Sequence, residues 1–141
     1  MKIAISAAET SGDLIASSLV SALKSYQPDY EIEGLVGDKM TEAGCKRLWH
    51  TDQVNVMGFS EVLRKLPSVL SLRRAMIRYY SSNRPDVFIG VDSPDFNFKI
   101  ERKLKGNGVK TIHFVSPSVW AWRAKRIKKI KKSTDLMLCL F

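Results

Sequence analysis

Asp92 is the residue of this 141-residue chain best placed for acid–base chemistry, because it directly follows the apolar run Val87-Phe88-Ile89-Gly90-Val91 and opens the loop Ser93-Pro94-Asp95-Phe96-Asn97. A carboxylate at the end of a buried strand is partly desolvated, which raises its proton affinity and suits a general base. The same position fits a carboxylate that merely caps the turn, and both readings stand at this level. Asp95, just after Pro94, falls in the first turn of a helix, where it meets free amides and the helix dipole; its expected role is structural. A second loop, Ala8-Glu9-Thr10-Ser11-Gly12-Asp13, offers Thr10 or Ser11 as helix caps and Gly12 as a point of close backbone approach to a ligand. It is neither a dinucleotide fingerprint nor a P-loop. In a third, Ser116-Pro117-Ser118-Val119-Trp120-Ala121-Trp122-Arg123, the two tryptophans beside an arginine can wall a sugar ring or acyl chain, or one of them can plug the core. His113, between Ile112 and Phe114, reads as a core histidine and not a catalyst, and His50 carries no motif.

Such loops need elements that bring them to one edge. Short apolar segments at 2–7, 32–36, 87–91, 111–115 and 136–141 read as strands separated by room for helices. Ile15, Leu19, Ala22 and Leu23 share one face of a helix after the first strand. Phe98, Ile100 and Leu104 mark another, which stops at Gly106 and Gly108. Near-continuous apolar strands are what a parallel sheet covered on both sides requires. The expected fold is α/β, with a doubly wound, mainly parallel sheet and helices on both faces. Ligands of such sheets collect beyond the carboxyl ends of the strands.

The segment 58–83 is less ordinary. Phe59, Val62, Leu63 and Leu66 form one stripe, Pro67 restarts or kinks the helix, and Val69, Leu70, Met76, Ile77 and Tyr80 continue it. Arg64, Lys65, Arg73, Arg74 and Arg78 are interleaved. Either this is a core helix with a solvated basic face, or an apolar surface that meets a membrane interface with its cations on anionic headgroups. The run 124–132, after Arg123, places six further cations around Ala124, Ile127 and Ile130 at helical spacing, which ordinarily means a solvated face, with a phosphate-binding or membrane-facing face as the functional alternative.

Composition narrows the classes. The chain is 45% hydrophobic and 26% charged, a folded domain and not a disordered tail, and 23 basic against 14 acidic residues give a charge of +9 that asks for an anionic partner. No apolar run approaches the roughly 18 residues of a membrane span, and the start lacks the pattern of a signal peptide, so a cytosolic protein is expected. Cys45 and Cys139 lack metal-binding spacing and are expected to be buried and inert. Leu136 to the end reads as a strand cut off without a turn, which marks a piece of a longer protein.

Read in order, Ala8-Glu9-Thr10-Ser11-Gly12-Asp13, Val56-Met57-Gly58-Phe59-Ser60-Glu61-Val62-Leu63, the stretch from Pro85 to Asn97, and Val115-Ser116-Pro117-Ser118-Val119-Trp120-Ala121-Trp122-Arg123 closely resemble the lipid-A-disaccharide synthases. The resemblance covers the whole chain. It implies the amino-terminal, acceptor-side Rossmann-like domain of a B-type glycosyltransferase, with the UDP-sugar-binding half absent. It further implies transfer of 2,3-diacylglucosamine from UDP to 2,3-diacylglucosamine 1-phosphate, with no cofactor, no metal and no nucleic-acid partner. Asp92 matches the position of the base. Glu9, Ser11 and Gly12, with Ser116, Trp120, Trp122 and Arg123, match the substrate-facing loops. Phe59, Leu63, Leu66, Arg64, Lys65 and Arg73 become contacts with an anionic inner-membrane surface, to which the cytoplasmic enzyme binds peripherally. The alternative is a stand-alone basic module that binds lipid or phosphate without catalysis. Two positions depart from the family: Ala8 stands where glycine is usual, which puts a positive φ there in doubt, and Asp38 replaces a usual proline, which is expected to loosen that turn.

Overall fold

The computed structural model describes residues 1–56, 58–115 and 124–139; Ser116, Trp120, Trp122 and Arg123 lie outside the described residues, and of Phe59, 124–127 and 129 the backbone alone is described. Six strands, β1 (Lys2–Ala7), β2 (Glu31–Val36), β3 (Lys46–His50), β4 (Val87–Val91), β5 (Lys110–Phe114) and β6 (Leu136–Leu138), form one sheet. All its pairings are parallel and its order is β3-β2-β1-β4-β5-β6. The chain winds outward from β1 to β3, then crosses back to β4 and winds the other way. That reversal leaves a crevice between the carboxyl ends of β1 and β4, because their following helices leave toward opposite faces.

Two apolar layers account for the winding. On one face α1 (Thr10–Tyr26) and the short α2 (Asp38–Glu42) cover Ile3, Ile5, Ile32, Val36, Ile89 and Val91. On the other, α3 (Phe59–Ser82) and α4 (Pro94–Gly106) cover Ala4, Leu35 and Phe88 with Met76, Tyr80, Ile100 and Leu104. A further helix, α5 (Ala124–Ser133), connects β5 to β6. Residues with both neighbours covered are apolar without alternation, as the sequence pattern requires.

Several expectations need correction. On α1, Leu19 and Leu23 pack against the first layer as expected, but Ala22 is exposed and the buried positions are Gly12, Asp13, Ala16 and Val20. Neither Thr10 nor Ser11 caps it: the cap position is Glu9, with no side-chain bond. Pro67 does not divide the long helix, which continues through it for 24 residues. Strand β3 was not anticipated. It is an edge strand with two exposed residues at its start, and Trp49 anchors it by edge-on contacts to Tyr79 and Tyr80, with ring centroids 5.6 and 6.0 Å away. Asp38 does not hang loose; it accepts from His50 Nε2 at 3.1 Å and lies 3.6 Å from Arg47, which ties α2 to β3. Cys45 is buried, and burial pushes its thiol up to about 12, but Cys139 is exposed.

His113 is a core histidine, as expected, though with a partner that the sequence did not point to. Its Nδ1 lies 2.7 Å from Oε1 of the fully buried Glu101, whose Oε2 accepts from Thr134 Oγ1 at 2.6 Å. Burial raises the proton affinity of Glu101 against the opposing pull of His113. The carboxylate fits because residue 90 is glycine: a Cβ there would meet Glu101 Oε1 at 2.0 Å.

Candidate active site

The loops that follow β1 and β4 meet at the crevice. Asp92 leaves β4 in the left-handed region, φ 51°, and Ser93 follows at 41°. Two consecutive non-glycine residues in this conformation carry strain, which surrounding structure must sustain. The Asp92 backbone is held on both sides, its N–H donating to Phe114 O at 2.9 Å and its carbonyl accepting from Asn97 Nδ2 at 2.9 Å. The half-buried side chain has no hydrogen-bond or ion-pair partner among the described residues. Of the two readings of Asp92, capping therefore finds no support in the geometry, for no amide is engaged.

Beneath this turn lies Gly12, buried, where a Cβ would come within 3.9 Å of Asp92 Cβ and 3.5 Å of Val91 O. Glycine here sets α1 close against the end of β4. Glu9 and Ser11 are exposed above it, with Ser11 Oγ 3.5 Å from Glu9 Oε2. Ala8 is buried, and its φ is not positive, so the departure from glycine imposes no backbone strain.

Asp13, the last residue of the same motif, does different work. It is 4% exposed, and its carboxylate accepts the backbone N–H groups of Gly37 at 2.9 Å and Met40 at 3.1 Å on one oxygen and of Lys39 at 3.1 Å on the other. The first turn of α2 is thus capped from a neighbouring helix. A Cβ at Gly37 would stand 2.4 Å from the carboxylate, so glycine there admits the cap. The one signal in the sequence was an acidic residue on the buried stripe of α1.

After the Asp92–Ser93 turn opens a cleft of about 300 Å³, which Ser93 lines and Asp92 does not. Its floor is Ala8, Val54 and Phe96, all buried. Val54 is brought there by a 3-10 turn (Thr51–Gln53) whose Thr51 hydroxyl donates to Ala7 O at 2.9 Å. One wall is α3, through Val62, Leu66, Val69 and Leu70. The polar end holds Glu9, Ser93, Asp95 and Arg73. Arg73 Nη1 donates to Asp95 O at 3.3 Å, and burial together with Arg74 lowers its proton affinity. Ser93 Oγ is buried without a partner. Asp95 sits in the first turn of α4 and makes no side-chain cap.

The amino-terminal half of α3 leaves its apolar stripe uncovered: Val62, Leu63 and Leu66 are 39, 59 and 43% exposed, whereas Met76 and Tyr80 further along are fully buried. Arg64 is exposed and Lys65 pairs with Glu61 at 3.1 Å. Among the described residues no helix is long and apolar enough to cross a membrane.

Strand order, switch point and cleft define a Rossmann-like domain of the kind found in B-type glycosyltransferases and sugar-nucleotide epimerases. It is similar to a putative UDP-N-acetylglucosamine 2-epimerase from Listeria monocytogenes, with a TM-score of 0.65 at 12% identity over 99% of this chain and 39% of that one. It is also similar to a glycotransferase of kitacinnamycin, with a TM-score of 0.58 at 16% identity over 93% and 35%. At such identities the likeness concerns the fold. A family model described as lipid-A-disaccharide synthetase matches residues 3–141, and the chain belongs to that family. It is 50% identical to the lipid-A-disaccharide synthase of Francisella philomiragia over 99% of its own length and 37% of that relative's, so it spans little more than a third of such proteins.

Proposed function

We propose that these residues form the acceptor-side domain of an inverting glycosyltransferase that moves 2,3-diacylglucosamine from UDP to the 6-hydroxyl of 2,3-diacylglucosamine 1-phosphate. The products are the β-1,6-linked disaccharide 1-phosphate and UDP, and the UDP-sugar site belongs to a carboxy-terminal domain outside this chain. The observation that carries the reading is the unengaged Asp92 carboxylate at the switch point of the sheet, in the turn whose next residue, Ser93, lines an apolar cleft. Asp92 takes the proton of the attacking hydroxyl as its oxygen bonds the anomeric carbon. The bond from that carbon to the UDP oxygen breaks with inversion, and the departing electron pair stays on UDP. The isolated 141 residues are inactive because the donor half is missing.

The cleft supports the choice of substrate. Its α3 wall and floor offer an acyl chain apolar contact, while Arg73 and Ser93 at the polar end suit the oxygen-rich sugar. Glu9 and Ser11 line the approach and Gly12 packs beneath them, while Ser116, Trp120, Trp122 and Arg123, later in the sequence than β5, are assigned to the substrate by the family resemblance alone. Val62, Leu63 and Leu66, with the nearby cations Arg64 and Lys65, rest on the anionic inner-membrane surface, from which the lipid enters. In the full-length enzyme, Asp92→Asn is expected to keep the fold and UDP affinity and to lose turnover by about 100 to 10,000-fold, the range for a removed general base. Near-normal turnover would remove Asp92 from that role.

A further inference from the structure

We infer that Asn97 is a positioning residue for Asp92: its buried side-chain amide locks the left-handed Asp92–Ser93 turn and so fixes where the Asp92 carboxylate stands. This rests on the reading of Asp92 as the base.

A strand that simply continued past Val91 would send the next side chain to a face of the sheet. Positive φ at Asp92 and Ser93 instead ends the strand abruptly at the carboxyl edge of the sheet. The residue types favour this only in part: aspartate tolerates the left-handed region better than most, but serine has no such tolerance. The turn therefore needs an outside hold. Asn97 is fully buried, and its Nδ2 lies 2.9 Å from Asp92 O, 3.1 Å from Val91 O and 3.3 Å from Ser6 O. All three are carbonyls and only accept, so the nitrogen is fixed on that side. Oδ1 completes the arrangement by accepting from Ser6 Oγ at 2.7 Å. One amide thus bridges β1, the end of β4 and the turn itself. Gly90 makes room for it, since a Cβ there would press on Asn97 Cβ at 3.0 Å.

This side chain is not needed to start α4. The amides of Phe96 and Asn97 donate to Ser93 O at 3.1 and 3.0 Å through the main chain. Loss of the Asn97 amide leaves those bonds in place and frees the Val91–Asp92 carbonyls, so its effect falls on the carboxylate's position. A displacement of about 1 Å at a reacting group costs on the order of 100-fold in rate.

The test is a double-mutant cycle in the full-length enzyme, with folding followed by circular dichroism. Asn97→Ala should lower kcat by roughly 10- to 100-fold with KM little changed, and should cost nothing further when added to Asp92→Asn. Adding Ser93→Gly to Asn97→Ala should restore part of kcat, because glycine takes the left-handed form without help. Normal kcat for Asn97→Ala, or an equal loss in the Asp92→Asn background, overturns the inference. Should Asn97→Ala not fold, Ser6→Ala carries the same cycle with a smaller loss expected, since it removes only the donor that orients the amide. The failures are distinguishable. Full turnover by Asp92→Asn sinks the base and this inference with it, whereas an inactive Asp92→Asn beside a fully active Asn97→Ala sinks the positioning role alone.

Discussion

Asp13 and Asp92 are the same residue type at the same edge of one sheet, each close to a conspicuous glycine, yet their surroundings are opposite. Asp13 is buried and its two oxygens take three backbone amides; Asp92 is half-buried and its oxygens take none. The backbone differs as well. Asp13 is an ordinary helical residue, whereas Asp92 sits in the left-handed region. A carboxylate whose oxygens are already taken by amides stabilises structure, while an unengaged one has its lone pairs open to a substrate. Position at the carboxyl edge does not separate the two roles, and hydrogen-bond partners do.

The comparison can be broken most sharply by exchanging one property at a time. Turnover should fall by about 100 to 10,000-fold in Asp92→Asn with melting temperature nearly unchanged; a large loss of stability instead would make Asp92 structural like Asp13. For Asp13→Ala the signs reverse. Denaturant unfolding should show a loss of several kcal/mol, at about 1–3 kcal/mol for each buried amide left unpaired, while the surviving folded enzyme keeps its KM. Stability equal to the parent would show that water replaces the cap.

The two halves of α3 extend the contrast to apolar groups. Leu63→Ser with Leu66→Ser should weaken flotation of the full-length enzyme with anionic vesicles by tenfold or more, given about 1.5–3 kcal/mol for each leucine withdrawn from water, without lowering thermal stability. Unchanged flotation would argue against membrane contact by this face.

The smallest effect concerns Asp135, a third carboxylate, engaged but exposed. The Thr111 amide holds it below the ordinary carboxylate range, with Lys105 adding to the pull. A depressed folded value stabilises the protein above the unfolded value, and that contribution is lost as pH falls through the folded one. Asp135→Asn should therefore flatten the acid limb of stability only slightly, because solvent screens the interaction. A steep change would mean that its environment is drier than its exposure implies.

Much of this was legible from residue types. Val87 to Val91 announced a central parallel strand, because burial on both faces leaves no polar residue to blur the run. Strand β3 escaped notice since an edge strand is covered on fewer sides, and Lys46 and Arg47 remain in water. Leu19 and Leu23 marked the core side of α1, but Gly12 and Ala16 escaped notice because they are small, and close approach to the sheet favours smallness over hydrophobicity. Asp13 and Glu101 act through partners far along the chain, and Asn97 joins local carbonyls to the distant Ser6, at separations that no local pattern encodes.

Gly90 carries a consequence for how this domain evolves. Its missing side chain is the space that Glu101 and Asn97 occupy, and Glu101 in turn serves His113 and Thr134. A lineage that tried alanine at 90 would have to shorten 101 and strand two core partners in the same step. These columns should therefore co-vary or stay frozen together, so drift in this part of the sheet must proceed by concerted replacement and not by single changes.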